Sequence, residues 1–447
     1  MAGAAALRGK YTAYPEYKDS ELTWLGYVPF HWAVSKFGYV KTVLTDFTAN
    51  GSFADLKKNV VYRDEPSHAR LVRLTDLRVD LDNKNGVWID KDAYEYLGKS
   101  ALFGGEFLLA NVGAYAGLFY QMPENKGNAS LAPNMFMAKF DGNKILREFM
   151  AYVGQSQSAN EQLRLNATAS SAQPKLNKDD FKSVRFTYPP CEEQQKIANF
   201  LDHETAKIDT LIAKQQQLIT LLKEKRQAVI SHAVTKGLNP HAPMRDSGVE
   251  WLGEVPAHWD VSRVKFEYKN LDGRRIPLST EERSYKQGEY PYYGASGVID
   301  HVDDFIFDGD LVLVSEDGAN LLMRSYAIAF PAYGKYWVNN HAHILKPRDS
   351  NTEFWAEVIE VRDLTPYISG SAQPKFTSEA LSNLVVAVPP KKDEVDKIAW
   401  YIREQKEKYS LLISKADGSI KLMQERRTAL ISAAVTGKID VRNWKAA

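Results

Sequence analysis

Two stretches of this chain share a frame of identical residues at one fixed offset, so the fold of one half constrains the fold of the other. Asp19-Ser20, Trp24-Leu25-Gly26, Val28-Pro29, His31-Trp32 and Val34-Ser35 recur as Asp246-Ser247, Trp251-Leu252-Gly253, Val255-Pro256, His258-Trp259 and Val261-Ser262, 227 positions later without a gap. A second anchor, Ser171-Ala172-Gln173-Pro174-Lys175, returns at an offset of 200 as Ser371-Ala372-Gln373-Pro374-Lys375. Each is followed by a short β-like run and a double proline, Pro189-Pro190 and Pro389-Pro390. A third, Ala233-Val234-Thr235, returns as Ala434-Val435-Thr436. The first copy therefore carries about 27 extra residues, all between its first two anchors.

Between the anchors the copies have diverged. Phe103-Gly104-Gly105-Glu106 is echoed by Phe307-Asp308-Gly309-Asp310, and Asn134 is matched to Asn340. Fixed frames around divergent middles suit one scaffold presenting two binding surfaces; the bland alternative is an old duplication that drifted. Phe107-Leu108-Leu109-Ala110 and Leu311-Val312-Leu313-Val314, bounded by glycines, read as strands. Helical spacing in the middles is confined to Leu146–Gln155 and Thr352–Val361. After each double proline the period becomes helical. Ile197, Leu201, Ile208, Leu211, Ile212, Leu218, Ile219, Leu222 and Val229 form one apolar seam, and Ile398, Ile402, Leu412, Ala416, Ile420, Met423 and Leu430 the other. Each run spans about 40 residues, or about 60 Å as a helix. A lone helix of that length with an apolar seam needs a partner, and each is the other's obvious one.

The expected fold class is α/β: two β-rich α/β domains separated by two long antiparallel helices in a coiled coil, a tandem repeat with pseudo-two-fold symmetry. The expected divisions are a poorly ordered amino terminus over 1–16, a domain over 17–190, a helix over 191–236, and a linker over 237–245. A second domain over 246–390, a second helix over 391–436 and a tail over 437–447 returning to the first frame complete the chain. The ten residues Met1–Lys10 lack the apolar core of an export signal, and no run approaches a membrane span. The single cysteine, Cys191, excludes a disulfide framework and a Cys-cluster zinc site and fits a reducing interior such as the cytoplasm.

With these frames in place, the chain resembles the specificity subunit of type I restriction–modification systems over roughly Tyr17 to Arg442. The resemblance rests on the two Trp-Leu-Gly frames with their His-Trp pairs, on Pro189-Pro190-Cys191-Glu192-Glu193-Gln194-Gln195-Lys196-Ile197-Ala198, and on Tyr292-Tyr293-Gly294-Ala295-Ser296-Gly297-Val298-Ile299. It implies two target-recognition domains, each reading half of a bipartite site in double-stranded DNA in a prokaryotic cytoplasm. It implies helices that set the gap between half-sites and dock methyltransferase (modification) subunits, two by the symmetry. Restriction (translocase and nuclease) subunits are a further partner class. Methyl transfer and cleavage belong to those other chains, with S-adenosylmethionine in the methyltransferase partners and no cofactor or metal here. Lys391-Lys392-Asp393-Glu394-Val395 departs from the Glu-Glu-Gln of the first copy, which puts equal docking on both halves in doubt.

Base readers are polar side chains on loops, with Arg, Lys, Asn and Gln foremost. The first domain offers Lys57, Lys58, Arg63, Arg70, Arg73, Tyr115, Asn134, Gln173 and Lys175. The second offers Arg274, Arg275, Tyr293, Ser296, Asn320, Lys335, Asn340, Gln373 and Lys375. For any one of these a solvated surface role is the bland alternative; for the Gln-Pro-Lys loops it is a proline-fixed turn. The net charge of +1 is low for a polyanion binder. Residues 36–190 hold 20 basic and 17 acidic side chains, but residues 262–390 hold 13 and 18, with the basic ones bunched between Arg263 and Lys286. Catalytic motifs are missing. Tyr188-Pro189-Pro190-Cys191 does not fit an amino-methyltransferase motif, and no Gly-x-x-x-x-Gly-Lys phosphate loop occurs. Glu404-Gln405-Lys406 fits a solvated helix face better than half of a nuclease motif, and His341-Ala342-His343 lacks further ligand spacing for a metal.

Overall fold

A computed structural model describes residues 11–168, 174–370 and 373–446. The chain forms two compact units: the first runs through Lys214 and resumes at Ser419, and the second is Gln215–Gly418.

The two units share one topology. In the first, a four-stranded sheet is ordered Lys41–Asp46, Met135–Phe140, Phe107–Ala110, Phe119–Gln121, all antiparallel. A second sheet is ordered Trp88–Ile89, Ala69–Val72, Ala129–Leu131, Ala101–Leu102, with a parallel inner pair, Ala129–Leu131 beside Ala69–Val72. The second unit repeats both: Tyr268–Asn270, Ala342–Pro347, Leu311–Ser315, Ala329–Ala332, and then Gly297–Val302, Gln287–Gly294, Lys335–Val338, Phe307–Asp308, again with a parallel inner pair. Phe107–Ala110 and Leu311–Ser315 are buried at every position, as short uninterrupted apolar runs in a sheet's interior must be. The helices anticipated in the middles occur at Arg147–Gln155 and Thr352–Glu360.

The long helices are Cys191–Lys236 and Lys392–Val435. The first opens directly after its double proline, with the amides of Glu193 and Gln194 both donating to the Pro190 carbonyl. In the first unit the two helix segments run antiparallel. Glu193 takes a hydrogen bond from Trp32, against which Gly437 also packs, while Asp209 pairs with Arg427 further along. Both segments enter the same core, with Ile197, Phe200, Leu201 and Ile208 beside Leu430, Ile431, Ala434 and Val435. In the second unit Ile230, Ala233 and Val234 share a core with Val395, Ile398, Ala399 and Ile402.

The seam corrects part of the sequence reading. Half-buried positions on the first helix fall at Ile212, Gln215, Ile219, Leu222, Arg226 and Val229, a strict three–four alternation. On the second helix buried and half-buried positions fall at Gln405, Tyr409, Ile413, Ala416, Ile420, Met423 and Arg427, at steps of three and four. This is the heptad of a coiled coil. Leu211, Leu218 and Leu412, counted in the seam from sequence, lie outside it with 51%, 43% and 39% of their surface exposed.

The repeated frames explain themselves as clamps. Trp32 is fully buried and donates its indole N–H to Glu193, at 3.0 Å, while His31 lies 2.7 Å from the other carboxylate oxygen. Trp259 and His258 treat Glu394 alike, at 2.9 Å each. Glu394 is thus the counterpart of Glu193, so the acid that seemed displaced in the second copy is retained one register away. Each frame also receives a helix end. Lys438 donates to the carbonyls of Leu25 and Tyr27, and Lys236 to those of Leu252 and Glu254. Gly437 and Gly237 follow the helices at φ +70° and +77°, where a side chain is strained, and a Cβ on Gly437 would strike Pro29. The Tyr17 hydroxyl closes the first junction on the Gly437 carbonyl. Residues 11–16 do not extend an unordered terminus as expected, because Tyr14 is buried and its hydroxyl donates to Glu193 at 2.7 Å.

Candidate nucleic-acid interface

In each unit three loops meet where the parallel strand pair ends. In the first, the Asn111 amide donates to the Asn134 carbonyl, the Gly113 amide to the Pro174 carbonyl, and the Leu176 amide back to Asn111. In the second, Glu316 donates to His341, Gly318 to Pro374 and Phe376 back to Glu316, at the same relative positions. The Gln-Pro-Lys loop is therefore a splint: its proline carbonyl is an acceptor both copies need, and its lysine bridges the strand exit, Lys175 against Val112 and Lys375 against Asp317. These bonds also reset a register. The Ala132 amide meets Val72 as the Asn339 amide meets Tyr293, so Asn134, in the left-handed conformation at φ +67°, corresponds to His341. Asn340, matched to Asn134 from sequence, aligns with Pro133.

The candidates of the first domain divide sharply. Lys57 and Lys58 are exposed on the short helix Phe53–Asn59, and Asn134 and Lys175 are exposed at the junction. Tyr115 is 47% exposed in the loop after Asn111. Gln173 lies outside the described residues. Arg70 is buried and faces inward, donating to Leu81, Asp76 and Asn83. Arg73 grips both oxygens of Asp76, at 3.0 Å each, and the Asn85 carbonyl. Burial alone would raise the Asp76 carboxyl, but Arg73 and Asn83 outweigh it and bring it down to about 2. Arg63 pairs with Asp90 at 2.9 Å. Arg70 and Arg73 thus hold the loop 73–85 together; their guanidiniums are engaged from within.

In the second domain Ser296, Asn340 and Gln373 are exposed, and Lys335 lies over the Phe305 ring. Arg274 is exposed over Phe307. Arg275 faces inward to Glu316, at 2.7 Å, and to the carbonyls of Ala342 and Asp272. Asn320 closes its own loop, giving and taking a hydrogen bond with the Tyr326 backbone. Tyr293 is half-buried against Phe330 and Tyr336, and Lys375 reaches Glu316 at 3.4 Å. The basic cluster between Arg263 and Lys286 does not form one free face: Arg275, Arg283 and Lys286 pair with Glu316, Asp300 and Asp303.

Sequence reasoning missed the buried core of this network. His343 sets Nδ1 2.7 Å from Asp272 and Nε2 2.8 Å from the Phe376 carbonyl. Both partners are acceptors, so only the imidazolium satisfies both. Burial pulls the His343 pKa down, but Asp272, the Phe376 carbonyl and Glu316 raise it on balance. Burial likewise works against Glu316, which Arg275, His343 and Lys375 nevertheless hold below the usual carboxylate range. His341 pairs with Asp317, so the two histidines serve different carboxylates, and among the described residues no His/Cys/Asp/Glu cluster could hold a metal ion. Also among them, no helix is long and apolar enough to cross a membrane.

Two sheet-rich domains of one topology, each with a loop junction of its own composition and spliced to long helices, define a duplicated recognition module. The family model for the type I restriction modification DNA specificity domain matches residues 77–221 and 257–430, and the chain belongs to that family. A putative type I restriction enzyme specificity subunit of Haemophilus influenzae is 33% identical over 132 residues, 28% of this chain and 33% of the relative. The putative MjaX specificity subunit of Methanocaldococcus jannaschii is 24% identical over 279 residues, 61% of each chain. The chain thus spans about a third and about three fifths of the length of these relatives. A chain from a structure on complex assembly and conformational transition of the type I R-M system superposes with TM-score 0.67 at 13% identity, covering 91% of this chain and 98% of that one. The HsdS subunit from Thermoanaerobacter tengcongensis superposes at 0.51, also with 13% identity, over 94% and 100%. At that identity the superpositions speak for the fold.

Proposed function

We propose that this chain reads a bipartite site in double-stranded DNA for a type I methyltransferase complex in the cytoplasm, one half-site per domain. The observation that carries the reading is one scaffold built twice, with different side chains at the same junction: Asn111, Tyr115 and Asn134 in one unit, Glu316, Asn320 and His341 in the other. A shared scaffold fixes how each domain meets the duplex, and the divergent loops give each its own base contacts. The long helices set the half-site spacing and dock the methyltransferase subunits, one beside each domain. Large apolar side chains left uncovered on those helices support docking, among them Trp400 at 64% exposure and Leu422 at 66%. S-adenosylmethionine and the methyl-transfer chemistry belong to those partners. The excess of acid in the second domain makes DNA binding by the isolated chain weak, with much of the phosphate contact supplied by the partners.

Methylation mapping in cells expressing the chain with its methyltransferase partner tests this. A motif in two specified parts around an unspecified gap is expected. A single contiguous motif, or a tight and salt-resistant complex between DNA and the isolated chain, would count against it.

A further inference from the structure

We infer that Arg78, a residue no repeat anchor marks, reads a guanine in the first half-site from a stack on Tyr115. This rests on the proposed DNA-reading function. Arg78 ends the turn Leu74–Leu77 that follows the inner strand Ala69–Val72. Its guanidinium lies 3.9 Å from the centroid of the Tyr115 ring, with Tyr120 also beside it. Tyr115 stands in the loop whose Gly113 amide holds Pro174, so the stack sits at the junction with Asn134 and Lys175.

Its neighbours show why Arg78 stands out. Arg63, Arg70, Arg73 and Arg147 each hold a carboxylate: Asp90, Asp76, Asp76 again and Glu124. Among the described residues Arg78 pairs with none, and it is exposed. The Tyr115 ring and the hydroxyls of Tyr115 and Tyr120 restrict the guanidinium, but its five N–H donors outnumber those contacts, which leaves donors for the O6 and N7 of guanine. At the position equivalent to Tyr115 the second domain carries Asn320, which is bonded to Tyr326, so the described residues form no stack at that point of the second junction. The effect is therefore confined to one half-site.

The test uses the complete complex of this chain with its methyltransferase partner, comparing wild type with Arg78→Ala and Arg78→Lys. Methylation is mapped, and binding is measured on duplexes carrying the mapped site, with 7-deazaguanine placed at each guanine in turn. Both variants are expected to lose discrimination at one guanine by about 5- to 150-fold. That guanine lies in the half-site governed by residues 36–190, and the other half stays unchanged. The same guanine should be the one at which 7-deazaguanine weakens wild type but not the variants. A uniform loss of affinity with an intact motif, absent in Arg78→Lys and with a shallower salt dependence in Arg78→Ala, would make Arg78 a phosphate contact and overturn the inference. An unchanged motif with unchanged affinity would overturn it too. In both cases a split wild-type motif leaves the parent reading intact, whereas a contiguous wild-type motif removes both.

Discussion

Removing the acid at the start of each long helix should affect the two units unequally. Glu193 is 7% exposed and accepts from the Trp32 indole at 3.0 Å, the Tyr14 hydroxyl at 2.7 Å and His31 at 2.7 Å. Glu193→Ala leaves two buried donors, Tyr14 and Trp32, without an acceptor. At about 1–3 kcal/mol for each orphaned group the loss is about 3–5 kcal/mol, allowing some relaxation. Among the described residues Glu394 accepts only from Trp259 and the exposed His258, and its side chain is 30% exposed, so water can replace it. Glu394→Ala should therefore cost about 1–2 kcal/mol. A two-unit chain need not unfold in one step, so the assay is hydrogen exchange resolved by peptide, read at the helix starts and the frames. Equal losses, or a greater loss from Glu394→Ala, would refute the idea that Tyr14 and deeper burial make the first clamp the stronger one.

Lys406 lies against the buried Glu357 at 2.6 Å and Glu353 at 3.3 Å, so Lys406→Ala should destabilise the second unit by about 3–5 kcal/mol in chemical denaturation. The double change Lys406→Met with Glu357→Leu should regain most of that, and a double variant no better than the single one would contradict the burial argument. The raised pKa of His343 gives a pH dependence of defined sign. Its contribution is complete below its unfolded value of about 6.5 and is lost as pH rises through the folded value above it. Asp272, held below its ordinary value against the effect of burial, contributes above its unfolded value of about 3.9 and fails only in acid. Thermal unfolding of the second unit should thus show a loss of stability from pH 6 to pH 9 that His343→Gln flattens; stability rising over that range would contradict the imidazolium assignment. Deleting one heptad from each long helix, residues 212–218 and 412–418, keeps the seam in phase and shortens the pair by about 10 Å. Methylation mapping should then show a spacer shorter by about three base pairs with both half-sites intact, and an unchanged spacer would exclude the helices as the ruler.

The scaffold was legible in the sequence because its defining contacts are made by residues that must recur. A buried Trp needs its acid, a helix leaving a double proline needs its seam, and the Gln-Pro-Lys splint needs its proline carbonyl. The site was not legible, because the state of an arginine depends on carboxylates far along the chain. Arg275 looks free beside Arg274 until Glu316, 41 positions later, closes on it. Arg73 is claimed by Asp76 within a turn, while Arg78, five residues on, keeps its charge outward. Nothing in the stretch around Arg78 repeats, so no anchor pointed to it. The seam was blurred for a related reason: leucines at helical spacing on the wrong side of a heptad look like core until exposure separates them. The match of Asn134 to Asn340 failed by one residue because the two middles differ in length, and only the amide pairing with Val72 and Tyr293 fixes the register.

The most direct measurement is a domain exchange. Residues 36–190 are replaced by the corresponding segment of a relative, and methylation is mapped in cells supplying the same methyltransferase partner. Two independent readers on a shared scaffold predict that one half of the motif changes to that of the relative, while the other half and the spacing persist. A motif that does not respond to the exchange, or that changes in both halves together, would contradict the account.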